Sequence, residues 1–409
     1  MTLLLLCSPW LALGLFVLVR VRVPPGLPEV EKAFPESEAL PSVSVVIPAR
    51  DEENTIGPCV ASLAASRYPD FEIVVVDDGS EDGTAEMVRS LEPGNARGIR
   101  LVSGKPLPAG WFGKPWACWQ GAREATGDLL LFTDADTEHG PRLLARSVEE
   151  IRAGGADAVT VVGRQVMGSF WERLLQPWFF ALLAIRYPRT GEPKEPGRWR
   201  DAIANGQYIL FSRTAYDQVG GHEAVKGEVV EDMRLAQILV RGGRRLVVRS
   251  ARELETRMYR SLGELVDGWS KNLGTAVLQT TPRWFHPVAH LFYFTVGLVL
   301  WLLPPAVLGW ALLTGASGLP LHWSGIVTGF GVVFWAGISA FMGAGALHGL
   351  VYPLGALLLA HIYVRSWTRG SRIEWKGRAY RVPEAVRRGT MEGGEEGAAC
   401  SRPDTSREA

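Results

Sequence analysis

Hydrophobic and polar positions divide the chain into two kinds of region. Residues 3–19 and 288–364 contain no Asp, Glu, Lys or Arg, whereas residues 20–287 mix apolar and charged side chains as water-soluble domains do. A helix needs about 20 predominantly apolar residues to cross a bilayer. The pattern therefore predicts a soluble unit with membrane segments before and after it in the sequence.

The N-terminal apolar stretch, Leu3 to Val19, has no basic residue before it, and Arg20 and Arg22 follow it. A cleavable signal peptide carries its positive charge first, and basic residues beside a membrane helix favour the cytoplasmic side. We therefore predict an uncleaved anchor over residues 1–22, a multi-pass protein of the cell membrane and a cytoplasmic soluble unit.

A second membrane region is predicted over residues 288–364. Its three apolar stretches are residues 288–313, 324–342 and 347–364. If all three cross the membrane, the tail after them lies outside, yet that tail is basic and basic segments favour the cytoplasm. One stretch is therefore expected to be re-entrant or interfacial, at Pro304-Pro305 or in the Gly-rich residues 343–349.

The soluble unit alternates short apolar, β-branched runs with amphipathic stretches. This order predicts an α/β fold with a mostly parallel, Rossmann-like sheet, helices on both faces and ligands beyond the carboxyl ends of the strands. The predicted strands are residues 43–47, 73–76, 99–102, 129–133 and 158–162, and the predicted helices are residues 55–65, 84–91, 115–125 and 141–152. A further helix at residues 169–187 is expected either in the membrane interface or buried in the soluble domain.

Charge and cysteine content exclude several classes of protein. The 409 residues include 43 basic and 43 acidic side chains, so no net charge favours a nucleic acid partner. The four cysteines are too scattered for a zinc site or a disulfide framework. No Gly-x-Gly-x-x-Gly follows the first strand, which argues against a dinucleotide-dependent dehydrogenase. Residues 390–409, rich in Gly, Glu and Ser, predict a disordered tail.

Two acidic motifs follow predicted strands. Asp77-Asp78-Gly79-Ser80 comes after one buried run, and it is either an ordinary Asp-Gly turn or a site for a base, ribose or cation. Asp134 and Asp136 come after another. In an extended segment, residues i and i+2 point to the same side, so both carboxylates can face one divalent ion and leave room for diphosphate oxygens.

A third acidic motif, Glu231-Asp232, stands at the predicted start of a helix. The pair either complements the helix dipole or supplies a general base for an acceptor hydroxyl. Between the first two motifs lies Lys114, just before a predicted helix, where its ammonium is either solvated or serves phosphate or acceptor.

The order and spacing of these motifs resemble those of family 2 glycosyltransferases, which have the GT-A fold. The matching segments are Val45–Glu53, Asp77–Ser80, Gly113–Gly121, Asp134–Asp136 and Glu231-Asp232. The resemblance covers residues 41–280 and implies a GT-A glycosyltransferase domain there. Within the family, the chain is most similar to membrane-bound enzymes of carotenoid or hopanoid lipids, which also end in a stretch like Trp375-Lys376-Gly377-Arg378-Ala379-Tyr380.

The resemblance implies a role for each motif. The donor nucleotide and diphosphate would be held by Pro48, Arg50, Glu52, Asp77, Asp78, Lys114 and Asp134. Asp134 and Asp136 would bind a divalent metal, Mn²⁺ or Mg²⁺, and Asp232, with Glu231 beside it, would be the catalytic base. Asn205-Gly206 and Arg213 match the loop and strand that line the acceptor side.

The implied reaction is an inverting, metal-dependent transfer of sugar from a nucleotide-diphosphate donor, a UDP-sugar, to a membrane lipid. Two departures from the family pattern bear on it. The first departure is Trp119, which stands where asparagine is usual in the family. The second is the absence of the Gln-x-x-Arg-Trp motif of processive polysaccharide synthases, and this absence favours the addition of a single sugar. Trp269 and Lys271 are then the expected substitutes for that motif at the acceptor channel. The alternatives are a polyprenyl-phosphate hexosyltransferase, a polysaccharide synthase and a nucleotide-binding membrane protein without turnover.

Overall fold

The computed structural model describes residues 1–29, 40–369, 372–375 and 378–381. Its central element is an eight-stranded sheet with the strand order β3-β2-β1-β4-β7-β6-β8-β5. The strands are β1 Val43–Ala49, β2 Phe71–Asp77, β3 Ile99–Ser103, β4 Leu129–Thr133, β5 Thr137–His139, β6 Ala158–Gln165, β7 Tyr208–Ser212 and β8 Leu246–Thr256, and a separate hairpin pairs β9 Arg372–Trp375 with β10 Arg378–Arg381. We refer to the sheet and the helices packed on it as the sheet domain.

Helices cover both faces of the sheet and form a bundle beside it. They are α1 Thr2–Arg20, α2 Ile56–Ala64, α3 Thr84–Arg89, α4 Gly113–Glu124, α5 Leu143–Arg152, α6 Phe170–Arg186, α7 Arg213–Gln218, α8 Glu231–Arg241, α9 Leu262–Thr280, α10 His286–Trp301, α11 Leu303–Thr314, α12 Leu319–Phe341 and α13 Tyr352–Arg369. Short 3-10 helices span Pro196–Asp201, Gly221–Val225, Arg283–Phe285 and Ala346–Val351.

The α/β class predicted from the sequence is confirmed, and the sheet is mixed. Strands β3, β2, β1 and β4 are parallel neighbours, but β7 runs antiparallel to both β4 and β6. Within β1, Val45 and Ile47 belong to the core on one face and Val46 to the core on the other. Burial on both faces explains why the parallel strands are continuous apolar runs.

Among the residues that the structure describes, three helical segments are long and apolar enough to cross a membrane, judged by length and composition: Thr2–Arg20, Leu319–Phe341 and Ala346–Thr368. The pair α10 and α11, bent by 42° at its junction, makes a fourth candidate. Pro304 and Pro305 lie in the first turn of α11. Backbone amides in the first turn of a helix donate to no carbonyl of that helix, so a proline there costs no helical hydrogen bond. The two prolines therefore lie at the start of α11, directly after the bend between α10 and α11.

Helices α1 and α12 run in the same direction. The Trp323 indole donates to the Leu6 carbonyl at 3.3 Å, and eight residues further along α1, Gly14 lies against Phe330. The chain just after α1 is joined to the sheet domain, because the Ser250 amide of β8 donates to the Pro25 carbonyl at 2.8 Å. The end of α12 therefore also lies on the side of the bundle that faces the sheet domain.

The chain then turns back at the glycine-rich residues 343–349. The 3-10 helix runs back along α12, with Gly349 against Ala336, and Tyr352 reaches Gly331 near the middle of α12. Helix α13 returns from there: Arg365 pairs with Asp267 of α9 at 2.5 Å. The segment from Ala346 to the end of α13 thus begins and ends on the side of the sheet domain.

Helix α6 corresponds to the helix predicted at residues 169–187, and one of its faces is buried. Ser169 and Glu172 form a capping box at its start. Trp178 is buried, and its ring stacks on that of Trp335 in α12 with centroids 3.5 Å apart. Because the partner of Trp178 lies on an apolar helix, we describe α6 as the connection between the sheet domain and the bundle.

Candidate active site

The acidic motifs converge at one edge of the sheet. Parallel strands bring the loops after β2 and β4 to their carboxyl ends, and antiparallel β7 brings its preceding loop, Asn205-Gly206, to the same edge. Helix α8 begins at Glu231, so the third acidic pair lies in its first turn as predicted. A pocket at this edge is lined by Pro48, Lys114, Cys118, Phe132, Thr133, Asp134, Gly206, Ile209, Phe211, His222, Glu231 and Asp232.

Lys114 connects the second and third acidic motifs. Its ammonium lies 2.7 Å from Asp134 Oδ1 and 3.0 Å from Glu231 Oε1. Burial alone would lower the pKa of Lys114, but the charges of Asp134, Glu231 and Asp232 raise it well above its ordinary value. The lysine is therefore a permanent cation among carboxylates.

Glycine is required at two positions that set this arrangement. Helix α4 approaches β1 so closely that a Cβ on Gly121 would collide with Val46, which fixes the helix whose first turn carries Lys114. A Cβ on Gly206 would lie 2.9 Å from Asp232 Oδ2 and 3.1 Å from Lys114 Nζ. A side chain at position 121 would force α4 away from β1, and one at position 206 would displace the Asp232 carboxylate and the Lys114 ammonium from their present positions.

Asp232 accepts two backbone hydrogen bonds and has a raised pKa. The Gly206 amide donates to its Oδ2 at 2.8 Å, and the Met233 amide donates to its Oδ1 at 2.7 Å. Burial and the neighbouring charge of Glu231 raise the pKa of Asp232 to about 6, against the opposing effect of Lys114. A carboxylate with a pKa near neutrality is a suitable general base.

Glu231 is held in the ionised state. Burial would raise its pKa, but the charge and hydrogen bond of Lys114 outweigh burial and hold the pKa below its ordinary value. The two adjacent carboxylates thus have pKa values displaced in opposite directions, and such a pair can divide the roles of charge partner and proton acceptor.

The extended geometry predicted for Asp134 to Asp136 is wrong, because these residues form the turn between β4 and β5. The two carboxylates are still neighbours: burial, then the charges of Asp134 and Glu52, raise the pKa of Asp136 to about 7. In the described ranges, no group of three or more His, Cys, Asp or Glu side chains is arranged to hold a metal. Two carboxylates with excess negative charge nevertheless fit a hard divalent cation whose other ligands are diphosphate oxygens and water.

The first acidic motif is paired with a loop that follows β1. Arg50 Nη1 donates to the carbonyl oxygens of Asp78 and Gly79 at 2.6 and 2.8 Å, and the Glu52 amide donates to the Thr84 hydroxyl at 2.8 Å. The Asp77 carboxylate accepts from the Ser80 amide at 2.9 Å in the turn, whereas Asp78 is buried. Asp77 thus shapes an Asp-Gly turn, as one of the two predictions has it, and the role of this motif as a site for a base, ribose or cation stays a prediction.

Two sequence interpretations are corrected or refined by the geometry. Arg213 does not line the acceptor side: it lies at the opposite end of β7 from Gly206, and its guanidinium donates to the carbonyls of Gly127 and Ala125 at 2.6 and 2.9 Å. Trp119, the departure from asparagine, stacks on Trp116 with ring centroids 5.1 Å apart. It therefore belongs to a tryptophan cluster on α4.

His222 lines the pocket and was missed by the sequence reasoning. Its Nδ1 lies 2.8 Å from the Tyr216 hydroxyl, and its ring contacts Phe132 edge-on at 4.5 Å. Burial lowers its pKa to about 3, so it stays neutral. Its position after Gly220-Gly221, ten residues before Asp232, is the signal that a search for pocket residues could have used.

Lys271 and Trp269 lie on α9, between the pocket and the bundle. Burial lowers the pKa of Lys271 to about 8, against the opposing charge of Glu231. The Trp269 ring stacks on that of Phe179 in α6, with centroids 3.9 Å apart and planes 2° apart. Their assignment to an acceptor channel stays a prediction.

The protein thus combines a mixed α/β sheet, an acidic pocket at the carboxyl edge of its parallel strands and a neighbouring bundle of apolar helices. Residues 44–220 match the model of glycosyl transferase family 2, so the chain carries a family 2 glycosyltransferase domain, as the resemblance predicts.

Similar proteins extend the comparison beyond that domain. The chain is 25% identical over 359 residues to the 4,4'-diaponeurosporenoate glycosyltransferase of Staphylococcus aureus strain USA300, covering 83% of this chain and 88% of the relative. The protein of the same name from strain MRSA252 is 24% identical over 354 residues, with the same coverage.

Among solved structures, a mannosyltransferase from Pyrobaculum calidifontis in complex with GDP-Man and Mn²⁺ is 18% identical and has a TM-score of 0.49. The match covers 89% of this chain and 94% of that one. The glucosyl-3-phosphoglycerate synthase from Mycobacterium tuberculosis with Mn²⁺ and UDP-glucose is 20% identical, with a TM-score of 0.39 and coverage of 59% and 79%.

Proposed function

We propose that this protein transfers one sugar from a nucleotide-diphosphate donor, a UDP-sugar, to a lipid acceptor in the membrane, with inversion at the anomeric carbon. One observation carries the proposal: Lys114 joins Asp134 to Glu231, next to Asp232, at the sheet edge where ligands of such folds bind. This arrangement brings a diphosphate-side carboxylate and a base into one pocket.

The residues divide the work of the reaction. The loop of Pro48, Arg50 and Glu52 and the pair Asp77-Asp78 bind the nucleotide. Asp134 and Asp136 would hold a divalent ion, Mn²⁺ or Mg²⁺, and such an ion neutralises charge on a departing diphosphate. Lys114 keeps Glu231 ionised and lowers the pKa of Asp232 below the value that burial and Glu231 alone would produce.

Asp232 then removes the proton of an acceptor hydroxyl as that oxygen attacks the anomeric carbon. Its two backbone hydrogen bonds hold the carboxylate in place, and its pKa of about 6 leaves it mostly ionised at neutral pH. Attack from the side opposite the leaving diphosphate inverts the anomeric configuration.

A carboxylate-headed acceptor is the second candidate. The Staphylococcus aureus relative is named for diaponeurosporenoate, and the ending of that name denotes a carboxylate. An acceptor of this kind is already ionised at neutral pH and needs no base, so the two candidates differ in their dependence on Asp232.

The membrane arrangement is part of the proposal. We place the sheet domain in the cytoplasm, with crossings by α1, the bent pair α10–α11 and α12, and with Ala346 to Arg369 re-entrant. The ion pair of Arg365 with Asp267 and the parallel packing of α1 and α12 support it. Reporter fusions at Gly315 and at the C-terminus test it: we expect the first outside and the second in the cytoplasm, and an external C-terminus would contradict the re-entrant segment.

Lipid mass spectrometry tests the reaction itself. Lipids from a host with and without the protein are compared, and detergent-purified protein is supplied with UDP- or GDP-sugars and the extracted lipid. We expect a lipid heavier by one sugar. A bound donor that is never consumed in the presence of that lipid would instead support a nucleotide-binding protein, and a ladder of products would support a polysaccharide synthase.

A further inference from the structure

The C-terminal hairpin reaches the loop that follows β2. Arg378, the first residue of β10, comes after the last apolar helix and is 300 positions from Asp78 in the sequence. Its Nη1 pairs with Asp78 Oδ2, and its Nη2 donates to the Asp78 carbonyl oxygen at 3.0 Å. One guanidinium therefore contacts both the side chain and the backbone of a single aspartate.

Asp78 is a costly residue to bury without such a partner. Only 4% of it is exposed, and burial raises its pKa, while the hydrogen bond and charge of Arg378 and the charge of Arg50 oppose that effect. Arg50 contacts the same carbonyl at 2.6 Å from the loop after β1. Two arginines from opposite ends of the chain thus hold the Asp78-Gly79 peptide.

The Asp78 backbone is anchored on one side, where its amide donates to the Ala49 carbonyl oxygen at 2.9 Å, but the glycine that follows adds no strong conformational preference. Gly79 has a φ of +73°. Glycine adopts positive φ without strain, and about as readily as negative φ, so the residue itself does not fix this conformation. The position of the Asp78 carboxylate therefore depends on its partners. Arg50 donates to the backbone oxygens of Asp78 and Gly79, and Arg378 donates to the Asp78 carboxylate as well as to its carbonyl oxygen.

We propose that Arg378 is a positioning residue of the donor site: it holds Asp78 and the Asp78-Gly79 peptide in the conformation that receives the nucleotide. This inference rests on the proposed function, in which Asp77-Asp78 binds the donor. It assigns to the segment beyond the membrane region a part in binding the donor.

Arginine suits this role better than lysine. Its planar guanidinium contacts the carboxylate and the carbonyl with two different nitrogens, whereas an ammonium is a point charge without that fork. A lysine at position 378 should therefore restore the charge but only part of the orientation.

The test measures binding of UDP, and GDP in parallel, to the full-length protein in detergent with Mn²⁺ present. Arg378→Ala should weaken binding about ten- to a hundredfold, as expected for loss of hydrogen bonds to a charged partner. Arg378→Lys should lose less. Arg97→Ala is the matched control, because it removes another arginine–aspartate pair, with Asp70, that is exposed and lies before β2, at the opposite end of that strand from Asp78; it should bind as the wild type does.

A double-mutant cycle separates positioning from general stabilisation. In an Asp78→Asn background, Arg378→Ala should cost far less affinity than in the wild type, because the charged partner is already absent. If Arg378→Ala does not fold, Arg378→Lys and Arg378→Gln replace it in the cycle.

The outcomes are distinct. Wild-type affinity in folded Arg378 variants, or losses that simply add to those of Asp78→Asn, would overturn the role of Arg378 and leave the proposed function intact. If the wild type itself binds neither nucleotide, both the donor assignment and the role of Arg378 are wrong.

Discussion

Replacing Asp232 by asparagine tests the proposed chemistry most directly. Asparagine is nearly isosteric and can accept one of the two backbone hydrogen bonds, from Gly206 or Met233, but it cannot take a proton. For a hydroxyl acceptor, loss of a general base should lower kcat by about 10²–10⁴-fold. Binding of UDP should be retained, because Asp232 is assigned to the acceptor side.

The pH dependence gives a second measure of the same group. Burial and Glu231 raise the pKa of Asp232 to about 6, so the carboxylate is about nine-tenths ionised at pH 7 and about one-tenth ionised at pH 5. The base must be ionised to accept a proton, so the wild-type rate should fall about tenfold as pH drops from 7 to 5. The variant should lose this acid limb.

The assay is transfer of radiolabelled sugar to lipid by purified protein, with kcat and the donor KM determined between pH 5 and 8. Asp217→Asn, the same chemical change at an exposed position of α7, is the control, and thermal unfolding confirms that both variants are folded. Transfer by Asp232→Asn at near wild-type rate would refute the base assignment and favour a carboxylate or phosphate acceptor.

Three further changes have expected outcomes. Lys114→Met should lower kcat/KM by more than about 10²-fold, because Asp134, Glu231 and Asp232 lose their cation. The acid limb of the pH–rate profile should also move to higher pH, because Lys114 lowers the pKa of Asp232 in the wild type. An acid limb that does not move would contradict this effect of Lys114. Asp136→Ala should abolish transfer while the unfolding temperature is kept, and chelator should abolish wild-type activity until Mn²⁺ or Mg²⁺ is restored; full turnover in chelator would exclude the metal. Neutral residues at Arg20 and Arg22 should weaken cytoplasmic orientation of the sheet domain, measured with reporter fusions, and an unchanged orientation would show that other charges determine it.

Local pattern sufficed for the parallel strands β1 to β4 and for the start of β6, but not for β8. Strand β4, Leu129–Thr133, has the bounds expected from its apolar run, because a strand buried on both faces shows itself in composition. Strand β8 was not predicted, because its Arg249 and Glu255 interrupt the apolar pattern. Those charges are satisfied by Glu150 and Arg164, partners about 90 to 100 positions away that no local window contains.

The candidate site shows the same division. The positions of Asp77, Asp134 and Glu231 at element ends followed from the order of strands and helices. The bridge formed by Lys114 did not follow, because it depends on how α4 packs on β1 at Gly121. The turn at Asp134 to Asp136 was mistaken for extended chain because the short strand β5, only three residues long, begins just after it.

The contact between Asp78 and Arg378 can form only late in synthesis of the chain, because Arg378 is far from Asp78 in the sequence. Ribosomes add about 5–20 residues per second, so the 300 positions between the two residues take about 15–60 s to synthesise. Through that interval the sheet can form and the apolar helices can enter the membrane while Asp78 lacks this guanidinium. A nascent or prematurely terminated chain would therefore contain every acidic loop and lack the contact that holds Asp78, so synthesis of this segment is the last step in assembling the proposed donor site.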